Sequence, residues 1–569
     1  MKRTSQFRLV LSALLLACLV AAPVMAAPGA TETFTERAEG FFDEMQKSAE
    51  QAQTHAFLRS HQLADGLERP IVVEASAADL AAIEDGVSAE RRVRVGIAKE
   101  VGAEVRFGGL LNKAGGNLRA TTGAMKIEGD VFTWTTAVQT PGSSAIRLNF
   151  ANIDLAPGVE LYISNSVGEV HGPYTGNGLQ ADGEFWAHTL SGPEAVIQLF
   201  YRGENPVRAA RRSSFEIAQV GYITEKFLLG AMQQAQHATE GTKAFCSFNE
   251  SCVENAACSS VPSAIAATSD GIAQMLYSSG AFLYICTGSL VADTDTGSQI
   301  PYFLTANHCI SKSGEASSLE TFFFFTTPCG GSCYNFQTAG LPGTVGSSIL
   351  SGSSTSDYTL LQLDQPAPSG AAFLGWNTTA VAFNNGTSLF RLSHPGGAPQ
   401  AYSEHSVDTS KGTCTSWPRG DWIYSTDTYG ATEGGSSGSP VLNSNGQIVG
   451  QLSGACGFNV NDPCDTVSNA TVDGAFAAYY SNVSQYLDPG TSCTDNDGDG
   501  FCASVDCDDN NASVNPGASE ICGNGVDDDC DGTVDNGCGT CLAKGASCTS
   551  DSQCCSNKCK GKPGSQTCK

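Results

Sequence analysis

Three short segments, in one fixed order, restrict this chain more than anything else in it. Tyr302-Phe303-Leu304-Thr305-Ala306-Asn307-His308-Cys309 is an apolar strand ending in a histidine beside a cysteine. Ser356-Asp357-Tyr358-Thr359-Leu360-Leu361-Gln362-Leu363 sets an aspartate at the start of an alternating strand. Glu433-Gly434-Gly435-Ser436-Ser437-Gly438-Ser439-Pro440 crowds small residues round one hydroxyl. Glycine lets a backbone turn tightly and approach a ligand closely. A serine so placed can attack a carbonyl while neighbouring N–H groups receive the developing oxyanion. Its base would be His308, and the group orienting that base Asp357. Singly, the segments read as a flexible loop, a core histidine and a turn aspartate; as a set they point to chemistry.

The order also separates unrelated scaffolds. Gly434 to Gly438 fits G-x-S-x-G, the nucleophile elbow of α/β-hydrolases, centred on Ser436. That fold needs its histidine after the serine, and the last histidine here is His405. Histidine, aspartate, serine is the chymotrypsin-like order. These segments, with Cys286 to Val291 and Gly450-Gln451-Leu452, resemble chymotrypsin-fold serine peptidases, closest to the bacterial lysyl endopeptidase branch, over residues 244–489. The resemblance implies a mostly β domain of two six-stranded barrels and a peptide or protein substrate. His308 and Asp357 would come from the first barrel and Ser437 from the second, with the N–H groups of Gly435 and Ser437 as the oxyanion hole. The trypsin branch has an aspartate before the nucleophile, which pairs with the new amino terminus. Ser436 cannot, so activation is expected without an inserted ammonium.

The specificity pocket is expected between Ala431-Thr432 and Leu452-Ser453-Gly454. No aspartate lies six residues before Ser437. Anchored on Gly474, the branch's acidic position falls on Thr471, with Asp465 and Asp473 near it, and Ser453 replaces the branch's histidine. A lysine preference and a small or uncharged preference both stay open, because a substrate ammonium is costly to desolvate without a counter-charge.

Lys2, Arg3 and Arg8, the apolar run Leu9 to Val20 and Val24-Met25-Ala26 read as an export signal over residues 1–26. Secretion is expected; Leu15-Leu16-Ala17-Cys18 also fits a lipoprotein signal anchored at Cys18. The chain has 23 cysteines, and export makes disulfides of those beyond Cys18. The resemblance implies Cys286 with Cys309, Cys246 with Cys456, and Cys252 with Cys329 or Cys333; Cys258, Cys414 and Cys464 stay unassigned. A formal charge of −27 argues against nucleic acid as a partner. A monomer is expected.

Residues 27–243 read as a pro-region. Thr35 to Gln62 is helix-prone, with Phe41, Phe42 and Met45 as an apolar stripe. Strand-like runs such as Ala145 to Phe150 and Val196 to Tyr201, with turns at Pro141-Gly142 and Pro157-Gly158, predict a β-sandwich at about 100–205. It would assist folding or block the cleft; a sugar-binding or adhesion sandwich is the alternative. Arg211-Arg212 and Lys243-Ala244 are candidate processing sites.

Two small disulfide-rich modules follow. In residues 490–538, Asp495, Asp497, Asp499, Gly500 and Asp506 fit D-x-D-x-D-G-x₅-acid, and Asp527, Asp529, Asp531 and Gly532 repeat its core. Such oxygens suit a structural Ca²⁺. The segment resembles thrombospondin type 3 calcium repeats. In residues 541–569 the cysteine spacing resembles an inhibitor cystine knot, or knottin, which implies Cys541–Cys555, Cys548–Cys559 and Cys554–Cys568. Either module is a candidate for cell-surface or matrix contact. Two rival readings of the whole are a surface-binding or adhesion protein with an inactive protease-like domain, and a protease inhibitor acting through the tail.

Overall fold

The computed structural model describes residues 31–38, 44–84, 92–108, 118–224 and 245–489 (without 247, 248, 296, 332 and 334–339), then scattered positions from 497 to 569. The export signal, Phe41, Phe42 and the Lys243-Ala244 bond lie outside the described residues.

Two β-barrels sit side by side within residues 245–489. In the first, Ile272–Ser279 and Phe282–Leu290 form a hairpin whose turn needs the left-handed Gly280, at φ 59°. Tyr302–Ala306, Tyr358–Leu363 and Ser347–Ser353 extend it on one side, Glu320–Phe322 and Gly343–Val345 on the other. The second barrel closes completely. Ala401–Val407, Ser388–Ser393, Pro440–Leu442, Ile448–Gly457, Asn469–Ala475 and Trp422–Tyr429 pair in that order, and Trp422–Tyr429 returns to Ala401–Val407. Closure leaves no edge to aggregate. The helix Phe476–Leu487 buries Phe476, Tyr479, Val483 and Leu487, one helical face. That face joins Trp376, Leu304 and Tyr358 in the core between the barrels.

The β-sandwich ahead of the barrels is wider than 100–205. One sheet holds Val131–Gln139, Glu194–Arg202 and Glu160–Ser164; the other holds Val93–Gly108, Ser214–Ile223 and Ala145–Asp154. Trp134, Phe132, Phe150 and Phe215 fill the space between. Charges scattered along Val93–Gly108 obscure its pattern, and it pairs along its length with Ser214–Ile223, which lies beyond the expected boundary.

Sandwich and barrel share one sheet, because the start of Val93–Gly108 pairs antiparallel with Phe282–Ile285. The expected helix over Thr35–Gln62 is split. Glu36–Arg37 is a strand on Ala372–Phe373, flanked by Thr33 N–H donating to Trp376 O, and among the described residues the helix covers Glu44–Ser60. The backbone at 371–378 offers residues 31–38 acceptors at Ala371 O and Trp376 O and a strand at Ala372–Phe373, pairing that competes with helix.

The disulfides correct the implied pairings. Cys286–Cys309 and Cys548–Cys559 are bonded. Cys246 pairs with Cys333, not Cys456, and Cys456 pairs with Cys414 beside Trp422 and Tyr424. Cys252 reaches neither Cys329 nor Cys333; it bonds Cys464, while Cys258 bonds Cys329. Cys541, Cys554 and Cys555 lie outside the described residues.

A buried charge locks the sandwich to the first barrel. Arg147 is fully buried; its Nη1 donates to Ser318 O (2.7 Å) and its Nε to Ala187 O (2.9 Å), with Glu320 Oε2 at 3.3 Å. Glu320 in turn accepts from Thr189 N and Oγ1. Arg147→Ala leaves Glu320 buried without its counter-charge. Breaking a buried pair this way costs about 3–5 kcal/mol. Denaturant melts of the full chain should register a loss of that size, with Lys126→Ala, on the sandwich surface, near neutral.

Candidate active site

The aspartate sits in a strained turn. Ser356 and Asp357 are both left-handed, at φ 64° and 49°. Such backbone in non-glycine residues persists only where the surroundings over-determine it. Here Gln451 Nε2 donates to Ser356 O (2.7 Å) and Asp357 O (3.1 Å), and Tyr479 OH donates to Gln451 Oε1 (2.5 Å). Asn307 N–H adds a bond to Asp357 O at 3.0 Å. A side chain on Gly474 would overlap Ser356 O, so the second barrel supplies both the clamp and the space.

Thus held, the Asp357 carboxylate accepts His308 N–H on Oδ1 (2.7 Å) and Ser453 Oγ on Oδ2 (2.5 Å). His308 Nδ1 is 2.6 Å from Oδ2. That contact fixes the proton on Nδ1 and leaves Nε2 as the acceptor. Nε2 lies 3.8 Å from the Cys309 sulfur and makes no hydrogen bond to Ser437. Such bonds often tighten only when substrate is bound.

Ser437 is carried by a loop that glycine alone allows. Gly438, at φ 84°, packs so tightly on Thr305 and Thr287 that a Cβ would overlap both. Thr287 N–H donates to Ser437 O and Thr287 Oγ1 to Gly435 O, each at 2.8 Å. Among the described residues, the N–H groups of Gly435 and Ser437 donate to no protein acceptor. Ser436 is fully buried and accepts from Ser393 Oγ at 3.1 Å.

Beside Ser437 opens a cavity of about 480 Å³. Of the expected pocket residues, Thr432, Ser453, Gly454 and Asp465 line it. Ala431 is buried and off the lining. Asp473 is a correction: its carboxylate is fully buried and bound to Arg391, away from the pocket. Asp465 lies at the rim, held by Asn459 Nδ2 and Ser468 N–H. The sequence reading missed Asp427, a lining residue with its side chain only 8% exposed. Asp427 Oδ1 accepts from Thr471 Oγ1 (2.5 Å) and lies 2.7 Å from His405 Nδ1. Burial alone would raise this carboxyl, but His405 and Thr471 outweigh it and hold it below its usual range. Thr471 stands where the resembled branch has its acid; Asp427 reaches the same place from the neighbouring strand.

Farther along, Asp497, Asp506 and Asp527 are described, whereas Asp495, Asp499, Asp529 and Asp531 lie outside the described residues. Asp506 is buried and its Oδ1 accepts Asp508 N–H at 2.8 Å. Cys507 and Cys530 close a disulfide, so neither sulfur is a thiolate ligand.

Gln451→Leu keeps the volume but strips Ser356 O of its side-chain donor and leaves Asp357 O with Asn307 N–H alone. A lost buried hydrogen-bond partner costs about 1–3 kcal/mol. Urea unfolding should register a loss in that range.

Residues 247–467 match the family model described as lysyl endopeptidase, C-terminal domain. Residues 506–536 match a metal-binding motif model named Cu-binding MopE. The lysyl endopeptidase of Pseudomonas aeruginosa is 27% identical over 359 residues, 61% of this chain and 72% of that protein. Secreted RxLR effector protein 73 of Plasmopara viticola is 26% identical over 280 residues, 47% of this chain and 63% of that protein. Among solved structures, a scabies mite inactivated protease paralogue aligns at 12% identity over 39% of this chain and 96% of its own, with a TM-score of 0.29. A protease of M. tuberculosis in its active form aligns at 15% identity over 39% of this chain and 82% of its own, with a TM-score of 0.26. The stretch matching lysyl endopeptidase contains His308, Asp357 and Ser437, and that likeness supports a peptidase.

Proposed function

We propose that this chain is the precursor of a secreted serine endopeptidase that cuts after basic side chains. One observation carries the reading: Ser437, whose own N–H and that of Gly435 are uncommitted, lines an anionic pocket, and Asp357 holds the imidazole of His308 at 2.6 Å. Ser437 Oγ attacks the peptide carbonyl as His308 Nε2 takes its proton. The N–H groups of Gly435 and Ser437 receive the oxyanion; losing one such donor typically costs about 10²–10³ in rate. Asp357 holds the imidazole and stabilises its cation. His308 then protonates the leaving amine, and water, activated by the same imidazole, releases the acyl group and restores Ser437.

A basic preference follows from the pocket's charge. Asp427, Asp462 and Asp465 line it, with Glu250 and Glu433, and among the described residues no lining residue is basic. Asp427 is the deepest candidate and its carboxylate is already oriented. Glu433 binds the start of the catalytic domain through Glu250 N–H (2.5 Å) and Asn249 Nδ2 (3.3 Å), amide donors rather than a terminal ammonium. Maturation is expected by loss of the pro-region near Lys243-Ala244, with no inserted amino terminus.

In the acidic module a hard cation such as Ca²⁺ fits the donors, since they are carboxylates and the nearby sulfurs are bonded to each other. Asp506 and Asp527 would help hold it, and its contribution there is structural. Titration calorimetry on the secreted chain should register heat with Ca²⁺; none would remove this assignment.

The main test is a mixed peptide library digested by wild type, Ser437→Ala and Asp427→Asn, with products read by mass spectrometry. Wild type should cut after lysine or arginine and Ser437→Ala not at all. Asp427→Asn should lower the rate after basic residues by roughly 10–100-fold, the scale of a lost charged hydrogen bond, and spare cuts after neutral ones. Because Asp427 stays ionised above its lowered pKa, the ratio of lysine to norleucine cleavage should hold steady from about pH 8 to about pH 5. Cuts only after small residues would overturn the basic preference.

A further inference from the structure

The cleft has a second side, and a strand of this chain lies along it. Phe282–Leu290 leads into Cys286, bonded to Cys309 next to His308, the group that returns a proton to the leaving amine. On this strand Tyr302–Ala306 takes only Ser289 and Leu290, so the edge from Phe282 to Ile285 is left for another partner. That partner is the pro-region strand: Val93 pairs with Ile285 and Arg94 with Tyr284, antiparallel. Val93 also presses on the oxyanion loop; a Cβ on Gly434 would lie 2.5 Å from Val93 Cγ2. Val93 therefore bridges the two walls of the cleft, in the geometry by which an extended peptide adds to a sheet edge.

Arg92, one residue earlier, enters a built site. Its Nη1 is 2.9 Å from Glu315 Oε1, and its guanidinium lies 4.6 Å over the Tyr284 ring. Both charged side chains are more than nine-tenths buried. Glu315 does not depend on Arg92 for its position. Its Oε2 accepts the N–H groups of Ser311 and Lys312, and its Oε1 accepts Ser279 Oγ at 2.6 Å. A carboxylate fixed in this way, beside an aromatic face, is left without its cation once the pro-region withdraws. A planar guanidinium, which can pair and stack at once, suits it better than an ammonium.

We infer that Tyr284 and Glu315 form an arginine-binding subsite on the leaving-group side of the cleft, which the chain's own Arg92 fills in the precursor. The inference rests on the proposed peptidase reading and extends it beyond the scissile bond. In the precursor the strand from Arg92 to Gly96 competes with substrate for the same edge; in the processed enzyme a substrate arginine takes the place of Arg92.

The test uses the secreted, processed enzyme and matched peptides in which arginine, or its uncharged isostere citrulline, is moved through the first three residues beyond the cut. At one of these positions arginine should raise kcat/KM about tenfold over citrulline, the scale of a charged hydrogen bond. Glu315→Gln should bring that ratio to within about twofold while leaving the preference before the cut unchanged. Glu315 also caps a short helix, so Tyr284→Leu serves as a second variant, and it should lower the same ratio. Equal rates for arginine and citrulline at all three positions in wild type overturn the subsite and leave the peptidase standing. Absence of any cut overturns both.

Discussion

Two carbonyls held by one amide set the geometry of this molecule. Gln451 belongs to the second barrel, and the left-handed turn it clamps at Ser356-Asp357 belongs to the first. Without that clamp the turn has little reason to stay in a region of backbone space that costs roughly 1–3 kcal/mol per residue. With it, Asp357 faces His308 and accepts Ser453, also from the second barrel. The barrels are thus joined at the point where the imidazole must be aimed. Tyr479, stacked on Tyr358 at 4.0 Å, carries the clamp back to the C-terminal helix.

What the sequence disclosed was local. A histidine at a strand end, an aspartate at a strand start and a serine among glycines are each written in a few consecutive residues, and their order selects a scaffold. What it withheld depends on register. Asp427 reaches the pocket because Ser425 pairs with Thr471 and His405 with Asp427, neither of which any spacing reveals. Asp473 looked equally suitable on paper, but two residues farther along the strand it is fully buried and bound to Arg391. The Cys286–Cys309 pair was legible through the resemblance, whereas Cys252–Cys464 spans 212 residues and reflects only how the chain returns on itself.

Charge is distributed with the same economy. The chain is strongly acidic, yet two of its arginines are fully buried, each against a carboxylate. Burying such pairs gains little stability over apolar packing. They do fix where surfaces meet: Arg147 joins sandwich to barrel, and Arg391 ties strand Ser388–Ser393 to strand Asn469–Ala475 within the second barrel.

The extended segment at residues 31–38 gives the intact chain a property that no single contact supplies. It lies on strand Ala372–Phe373, whereas the sandwich meets the barrel at Phe282–Ile285 and again through Arg147. A single cut between sandwich and barrel would leave the two pieces tethered at three places. Each tether holds the others at high effective concentration, as in multivalent binding. Separation would then be slow and all-or-none, and would be hastened more by a second cut within the released piece than by dilution.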